Sequence, residues 1–344
     1  MNPLALMVFL ISLAIGATTT MLSHHWLLAW IGLEINTLAL LPIMMKTPHP
    51  RAIEAATKYF LTQATASALM LFSCLINALQ TGEWNINNPH NLMTTPLSLA
   101  IMMKLGLAPL HFWLPEVLQG TPLSTGLILS TWQKIPPMIL LLQISPNINL
   151  SLTIIMGLTS ILIGGWGGIG QTQLRKIMAF SSIGHLGWII LILKLNPQLS
   201  LFSFILYIIM TTAMFLSLIM LSTTKMSQIS ISWTKNPAMM TTTMLILLSL
   251  AGLPPLTGFQ PKLLIILELI KQNMIISATL TMLTSLLALF FYLRLTYIVT
   301  LTLSPSTHNS TTTWRTSMKP QLPSAITSIM ALTLLPLTPA ILLT

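Results

Sequence analysis

Four charged side chains interrupt long apolar stretches of this sequence. Glu34 lies in WIGLEINTLAL, and Lys104, Lys134 and Lys262 have mainly apolar neighbours. These stretches are long enough to be membrane helices, at whose centre one charged side chain costs about 2.5–3.5 kcal/mol. Four such charges cost roughly 10 kcal/mol, as much as the net stability of many proteins. One carboxylate cannot neutralise three ammonium groups, which favours a functional role over static ion pairing.

The chemistry that suits such residues is proton transfer. Desolvation disfavours the charged form of an ammonium group, whereas a nearby carboxylate favours it. A lysine in an apolar interior is therefore loaded with a proton, or emptied, by small changes around it. We expect Glu34 to control the protonation of Lys104 by moving toward it or away from it, and Lys134 and Lys262 to be further relay groups.

Three other titratable residues extend this set. His111, in PLHFWLPE, titrates near neutral pH; it either takes part in the relay or is held by a backbone hydrogen bond. Glu116 follows in the same stretch and is a candidate for taking up protons from the aqueous phase. His185, in SSIGHLGW, either relays protons or joins helices through a polar contact.

Proline breaks the helices next to two of the lysines. LGLAPL at 105–110, with Pro109, and AGLPPL at 251–256, with Pro254 and Pro255, share Gly, Leu, Pro and Leu in register. Freed carbonyl groups and water line a path at such a break, which a continuous helix does not allow. The first break follows the fourth predicted span and the second interrupts the ninth. This odd offset predicts inverted repeats around a site near the membrane midplane.

The elements that position these residues are membrane helices. The chain has 344 residues, no aspartate and only 6% charged residues, against roughly 25% in a soluble domain. A spanning helix needs about 20 mainly apolar residues, and in lipid its backbone must bond internally. We predict an all-α, polytopic membrane protein with about eleven spans. The predicted spans are 3–22, 25–45, 55–80, 93–109, 122–144, 151–169, 174–194, 199–222, 238–270, 275–301 and 321–343.

These spans form one predicted membrane domain, 1–344. Within it we expect two antiporter-like inverted five-helix repeats, at 1–145 and 150–302, and a C-terminal transmembrane helix at 320–344. The loops after odd-numbered spans carry few basic residues, whereas those after even-numbered spans are basic, which marks the positive side of the membrane and predicts that the N-terminus lies there. The basic loop residues are Lys46, Arg51, Lys58, Arg175, Lys176, Lys225, Lys235, Arg315 and Lys319.

Other kinds of function are disfavoured by the residues present. The net charge is +10, but the basic residues are scattered singly, unlike a nucleic-acid site. Cys74 is the only cysteine, so this chain alone cannot form a disulfide or a cysteine-ligated iron–sulfur cluster. GWGGIG at 165–170 lacks the strand and the acidic residue of a dinucleotide site, and we interpret it as a close-packed helix end. The N-terminal stretch lacks signal-peptide features, so we expect no cleaved leader.

Three stretches resemble the antiporter-like membrane subunits of respiratory complex I. They are MKLGLAPLHFWLPEVLQGTPLSTGLILSTWQK, QTQLRKIMAFSSIGHLGW and LLSLAGLPPLTGFQPK. MNPL, HHWLLAWIGLEINTLALLP and EAATKYFLTQATAS are similar to mitochondrial members, and the resemblance spans nearly the whole chain. It implies that Glu34 and Lys104 form a modulating ion pair and that Lys134 is the central relay lysine. Lys262 would be the lysine of the second half-channel.

The same resemblance implies a function and a location. The chain would be a proton-translocating subunit of an NADH:ubiquinone reductase in the mitochondrial inner membrane, with its N-terminus on the matrix side. NADH, FMN, iron–sulfur clusters and ubiquinone would be used by other subunits, with no cofactor or metal on this chain. Expected partners are other membrane-arm subunits, including neighbouring antiporter-like ones, and membrane lipids, but not nucleic acid. Two alternatives stay open: a stand-alone cation/proton antiporter and a non-pumping scaffold of the membrane arm.

Overall fold

A computed structural model describes residues 2–46, 49–86, 91–233, 236–301 and 322–335. In these ranges the regular structure is helical, as the sequence predicts. The helices are α1 (Pro3–Leu22), α2 (Trp26–Met44), α3 (Pro50–Thr81), α4 (Asn91–Leu105), α5 (Trp113–Gly120), α6 (Leu123–Ser130), α7 (Ile135–Ile144), α8 (Leu150–Ile169), α9 (Leu174–Ile192), α10 (Pro197–Leu221), α11 (Met226–Ser232), α12 (Pro237–Ala251), α13 (Phe259–Lys271), α14 (Ile275–Leu301) and α15 (Leu322–Thr333). Short 3₁₀ turns span Trp132–Lys134 and Ser145–Asn147.

The helices have the lengths and composition of membrane spans. Within the described ranges, eight segments are long and apolar enough to cross a membrane, and three shorter apolar helices accompany them. The chain is a multi-pass membrane protein, and the predicted all-α fold class is confirmed. The figure of eleven spans stays a prediction, because the shorter helices fall below the length that a bilayer crossing needs.

Four helices begin with proline at their first position. The residue before each proline caps the helix, because its side chain accepts a hydrogen bond of 3.1–3.3 Å from a backbone N–H of the first turn. Proline suits this position, since its missing N–H would have no partner inside the helix. The four caps and prolines are Asn2–Pro3, His49–Pro50, Asn196–Pro197 and Asn236–Pro237.

Serine and threonine hydroxyl groups inside the helices bond to their own helix. Thr20, Ser73 and Ser182, for example, each donate to the carbonyl oxygen three residues earlier, at 2.7 Å. Such bonds satisfy a polar side chain without a partner helix. They explain how a chain this rich in threonine is accommodated in an apolar environment.

The chain divides into two compact units, Met1–Ser160 and Ile161–Thr344, with the boundary inside α8. Each unit contains one isolated antiparallel bridge between two loops. In the first unit His25 pairs with Asn85, and in the second Gln173 pairs with Lys225. The predicted repeats at 1–145 and 150–302, and their inverted relation, stay predictions.

These bridges show which charged loops share an end of a unit. In the first unit, the backbone N–H of Trp26 donates to the carbonyl of Trp84 at 3.1 Å, which places Glu83 beside the α1–α2 loop. In the second unit, the pairing of Gln173 with Lys225 brings Arg175 to the end that carries Lys225. This grouping agrees with the predicted alternation of loops. Lys235, Arg315 and Lys319 lie outside the described residues.

One of the predicted spans is shorter than expected, and two contain a break. The fourth ends at Leu105 instead of 109, so Pro109 lies between α4 and α5. The ninth is two helices, α12 and α13, with Pro254 and Pro255 between them. The fifth, 122–144, agrees with one membrane-spanning segment, Leu123–Asn147, but this segment contains a 3₁₀ turn between the end of α6 at Ser130 and the start of α7 at Ile135.

The glycine motif GWGGIG forms the last turns of α8. A Cβ atom on Gly167 would lie 2.3 Å from the ring of Phe180, and one on Gly168 would lie 2.8 Å from that of Phe291. Only glycine allows these rings to approach so closely. The Arg294 guanidinium donates to the carbonyl of Ile169 at the end of the helix. The interpretation as a close-packed helix end is therefore confirmed.

Candidate functional site

Glu34 and Lys104 form an ion pair in the interior of the first unit. Glu34 lies in the middle of α2 and Lys104 in the last turn of α4. The distance from Glu34 Oε1 to Lys104 Nζ is 3.9 Å, and the Lys104 side chain is only 3% exposed. These two atoms have no hydrogen-bond partner among the described residues. Because 3.9 Å exceeds hydrogen-bond length, the pair has room to close or to admit water.

Lys104 and Lys134 line one small cavity in the first unit. Lys134 is 2% exposed and lies in the 3₁₀ turn that follows α6. The space that a water centre can occupy in the cavity is about 20 Å³, and about 10–15 Å³ is enough for one water molecule. Its polar lining consists of Lys104, Lys134, Thr37, Tyr59, Gln63 and Gln133. Water there would have the several polar partners that a buried water needs.

Glycine and proline end α4 directly after Lys104. Gly106 has φ +80°, a left-handed conformation that glycine adopts without steric cost. Its N–H and that of Leu107 both donate to the carbonyl of Met102, at 3.1 and 3.2 Å. The chain then turns away through Pro109. Lys104 consequently lies at the C-terminal end of a helix, where the helix dipole favours a positive charge.

The break that carries Lys134 has a cause that is visible in the sequence. Pro136 and Pro137 begin α7, and neither has an N–H to donate to the carbonyl four residues earlier. An α-helix therefore cannot run through Trp132 and Gln133 with its bonds intact. The Pro136–Pro137 pair is the signal for this break in the sequence, although no glycine accompanies it as at the other two breaks.

In the second unit, the ammonium group of Lys262 caps the end of α12. Lys262 Nζ donates to the carbonyl oxygen of Ala251 at 2.7 Å. Ala251 is the last residue of α12, and Gly252 follows it with φ +85°. Exposed carbonyl groups at a helix C-terminus attract cations. Lys262 is therefore held across the break between α12 and α13 by a backbone acceptor.

His185 lies beside Lys262, together with two tyrosines that sequence reasoning missed. His185 Nε2 is 3.4 Å from the Tyr292 hydroxyl group, and the ring centroids of His185 and Tyr207 are 6.0 Å apart. Lys262, His185 and Tyr292 line one cavity, and Lys262, His185 and Tyr207 line a second. The chain has only four tyrosines. Three of them, Tyr59, Tyr207 and Tyr292, are fully buried near these lysines, which is a usable sequence signal.

Comparison with known proteins identifies the family. The family described as NADH:quinone oxidoreductase/Mrp antiporter, TM, matches residues 23–288, and that described as NADH dehydrogenase subunit 2 C-terminus matches residues 289–342. NADH-ubiquinone oxidoreductase chain 2 of Aquarana catesbeiana is 73% identical over 343 residues, which cover 100% of both chains. This chain belongs to the NADH-ubiquinone oxidoreductase chain 2 family. The resemblance expected from the sequence motifs is thereby confirmed.

Solved structures share the fold of this chain 2 family member. A chain in the structure of respiratory complex I from Thermus thermophilus with bound Aureothin is 25% identical with a TM-score of 0.86, and the match covers 100% of this chain and 80% of that one. A chain of the Mrp complex from Dietzia sp. DQ12-45-1b is 21% identical with a TM-score of 0.80. That match covers 85% of this chain and 60% of the other, and at this identity it concerns the fold alone.

Two of the residues predicted from the sequence, His111 and Glu116, do not line the cavity that Lys104 and Lys134 share. His111 is buried, and its Nδ1 atom is 3.2 Å from the carbonyl oxygen of Pro109, as in the backbone-bonded alternative. Glu116 is half-exposed and pairs with Lys58 at 2.6 Å, while Lys58 also pairs with Glu54 at 2.5 Å. This cluster joins α5 to α3 and leaves about half of the Glu116 side chain exposed.

Proposed function

We propose that this chain is a membrane subunit of an NADH:ubiquinone oxidoreductase and contributes to proton translocation through Glu34, Lys104, Lys134 and Lys262. The observation that carries the proposal is the cavity shared by Lys104 and Lys134, with Glu34 at 3.9 Å from Lys104. Two nearly unexposed ammonium groups around one water-sized space are expensive in a membrane protein. A proton relay gives that arrangement a use.

In this proposal Glu34 tunes Lys104, and protons pass between Lys104 and Lys134 through the cavity. In the second unit, Lys262 and His185 form the corresponding relay, with Tyr207 and Tyr292 as neighbouring hydroxyl groups. His111 supports the break at Pro109 through its backbone contact, and Glu116 takes up protons from the aqueous phase. Each lysine is adjacent to a helix break, where freed carbonyl groups and water make a polar path through a membrane protein.

The proposal also covers the membrane, the partners and the cofactors around the chain. We place it in the mitochondrial inner membrane with its N-terminus on the matrix side, since the basic loops favour that side. Its partners are other membrane-arm subunits, including antiporter-like ones, and membrane lipids. NADH, FMN, iron–sulfur clusters and ubiquinone act on other subunits, because the residues of this chain supply no cysteine set for a cluster and no dinucleotide-binding loop.

The test is Lys134→Ala in the assembled enzyme, with proton uptake per NADH oxidised measured in vesicles. We expect normal assembly and a fall in both proton uptake and coupled quinone reduction. Lys134→Arg should also impair both, since arginine hardly releases its proton. Lys46→Ala, at an exposed lysine, is the control. A normal rate and stoichiometry in Lys134→Ala would favour a structural scaffold, and cation-driven proton transport by the isolated chain would favour a stand-alone antiporter.

A further inference from the structure

Lys134 lies in a part of the chain that the regular helices do not hold. It is the last residue of the 3₁₀ turn Trp132–Lys134, between the end of α6 at Ser130 and the start of α7. The Lys134 N–H donates to the carbonyl of Thr131 at 3.2 Å. Because Pro136 and Pro137 donate no backbone hydrogen bonds, the turn lacks the ladder that would fix an α-helix here.

Two side chains of this turn bind neighbouring helices instead. Trp132 Nε1 donates to the carbonyl oxygen of Leu13 in α1 at 3.2 Å. Gln133 Nε2 donates to the carbonyl oxygen of Asn36 in α2 at 3.3 Å. The two residues that directly precede Lys134 are thus tied to two different helices. Gln133 also lines the cavity that contains the two lysines.

The acceptor helices are themselves joined at the same place. The Asn36 side chain is 1% exposed, and its hydrogen-bond partners assign the amide orientation: the nitrogen donates to the carbonyl of Leu13 at 2.8 Å and the oxygen accepts from the N–H of Ala17 at 3.2 Å. Leu13 therefore accepts from both Trp132 and Asn36, and the Asn36 backbone accepts from Gln133. These contacts make one connected network across α1, α2 and the turn, in an apolar region where each bond has few competitors.

We propose that Trp132 and Gln133 are positioning residues that hold the Lys134 turn against α1 and α2, so that the Lys134 ammonium group stays in the cavity it shares with Lys104. This inference rests on the proposed relay function. The Trp132 ring is 40% exposed, so its indole N–H, and not burial of the ring, is the specific anchor. Small displacements of a reacting group lower rates steeply, so the effect should appear in proton transfer before it appears in assembly.

The test uses Trp132→Phe and Gln133→Leu in the assembled enzyme. Each variant removes one anchoring hydrogen bond and keeps most of the side-chain volume. We expect nearly normal amounts of assembled enzyme and a displaced pH profile of proton uptake. Coupled proton uptake should fall roughly five-fold, which corresponds to about 1 kcal/mol at about 1.36 kcal/mol per factor of ten. The matched controls are Trp166→Phe, at a tryptophan that is 71% exposed, and Gln143→Leu in α7, which should keep the profile of the unmodified enzyme.

Combination with Lys134→Ala separates the positioning role from a general structural one. If Trp132 and Gln133 act through Lys134, their substitution should cost nothing further in the Lys134→Ala background. Additive losses there, unchanged proton uptake in both single variants, or failure of both to assemble while the controls assemble would overturn the positioning role. An unimpaired Lys134→Ala enzyme would instead overturn the proposed relay, and the positioning role with it.

Discussion

Replacing Glu34 with glutamine should slow coupled proton transfer while leaving the enzyme assembled. The carboxylate lies 3.9 Å from Lys104 Nζ, which at an effective dielectric constant of about 20 gives an attraction of about 4 kcal/mol. At about 1.36 kcal/mol per factor of ten, the whole attraction corresponds to about a thousand-fold in rate. Glu34 is 22% exposed, so solvent screens part of it. We expect a loss of about ten-fold, smaller than that in Lys134→Ala, because in the proposed relay Glu34 tunes Lys104 and does not carry the proton.

Glu34→Asp separates the effect of charge from that of packing. Aspartate keeps the charge but withdraws it by one carbon–carbon bond, about 1.5 Å. At roughly 5.4 Å from Lys104 the attraction is about 3 kcal/mol. This variant should therefore lie between the unmodified enzyme and Glu34→Gln in coupled rate. A packing effect would give the reverse order, since aspartate changes the side-chain volume more than glutamine does.

The assay is proton uptake per NADH oxidised by the assembled enzyme in vesicles, with Glu268→Gln as the control. Glu268 pairs with Lys271 at 4.0 Å, nearly the same distance, and the Glu268 side chain is 16% exposed, but the Lys271 side chain is 76% exposed, unlike that of Lys104. Exposed ion pairs contribute about 0–1 kcal/mol, so breaking this one should leave coupling unchanged. Equal behaviour of Glu34→Gln and Glu268→Gln would refute the argument that burial makes the Glu34–Lys104 pair functional.

Two more predictions concern the second unit and the membrane orientation. Gly252→Ala should lower proton uptake more than Gly82→Ala. Both glycines have positive φ, +85° and +75°, but only at Gly252 would the new Cβ meet Lys262, at 2.8 Å from Nζ. If the two variants have equal effects on thermal unfolding and on proton uptake, backbone strain alone accounts for the loss. Single cysteines at Glu83 and Arg175 should be labelled from opposite sides of the membrane, since the basic loops favour one side; labelling of both from the same side would contradict the predicted topology.

The parts of the site that could be predicted are those where a rare residue type interrupts an apolar stretch or where glycine and proline end a helix. Only five residues are acidic, so a carboxylate inside an apolar run has few possible partners, and the structure places Glu34 beside Lys104. Gly106 and Gly252 each come directly after a helix and precede prolines, which indicates a helix end from local chemistry alone. These signals are local, so they can be recognised in the sequence without knowledge of the tertiary fold.

The contacts that sequence reasoning missed depend on long-range packing. In the sequence, nothing distinguishes Gln133 and Tyr59 from other polar residues of apolar segments. Only the fold shows that they line the same cavity as Lys134. The pairing of Glu116 with Lys58 joins residues far apart in the chain. No periodicity predicts such pairs, because side-chain neighbours across helices depend on which faces pack together.

Two of the three membrane lysines lie at helix C-termini, which supply part of the negative charge that one carboxylate cannot give to all three. Lys104 is in the last turn of α4 and Lys262 donates to the last carbonyl of α12, whereas Lys134 directly precedes α7. A helix C-terminus carries roughly half an elementary negative charge. That partial charge offsets some of the cost of an ammonium group in the membrane without the full attraction of a carboxylate. In the proposed relay, a helix end holds the proton of Lys262 less tightly than a carboxylate would, so Lys262 can release it, and the carboxylate Glu34 lies beside Lys104, where the relay is tuned.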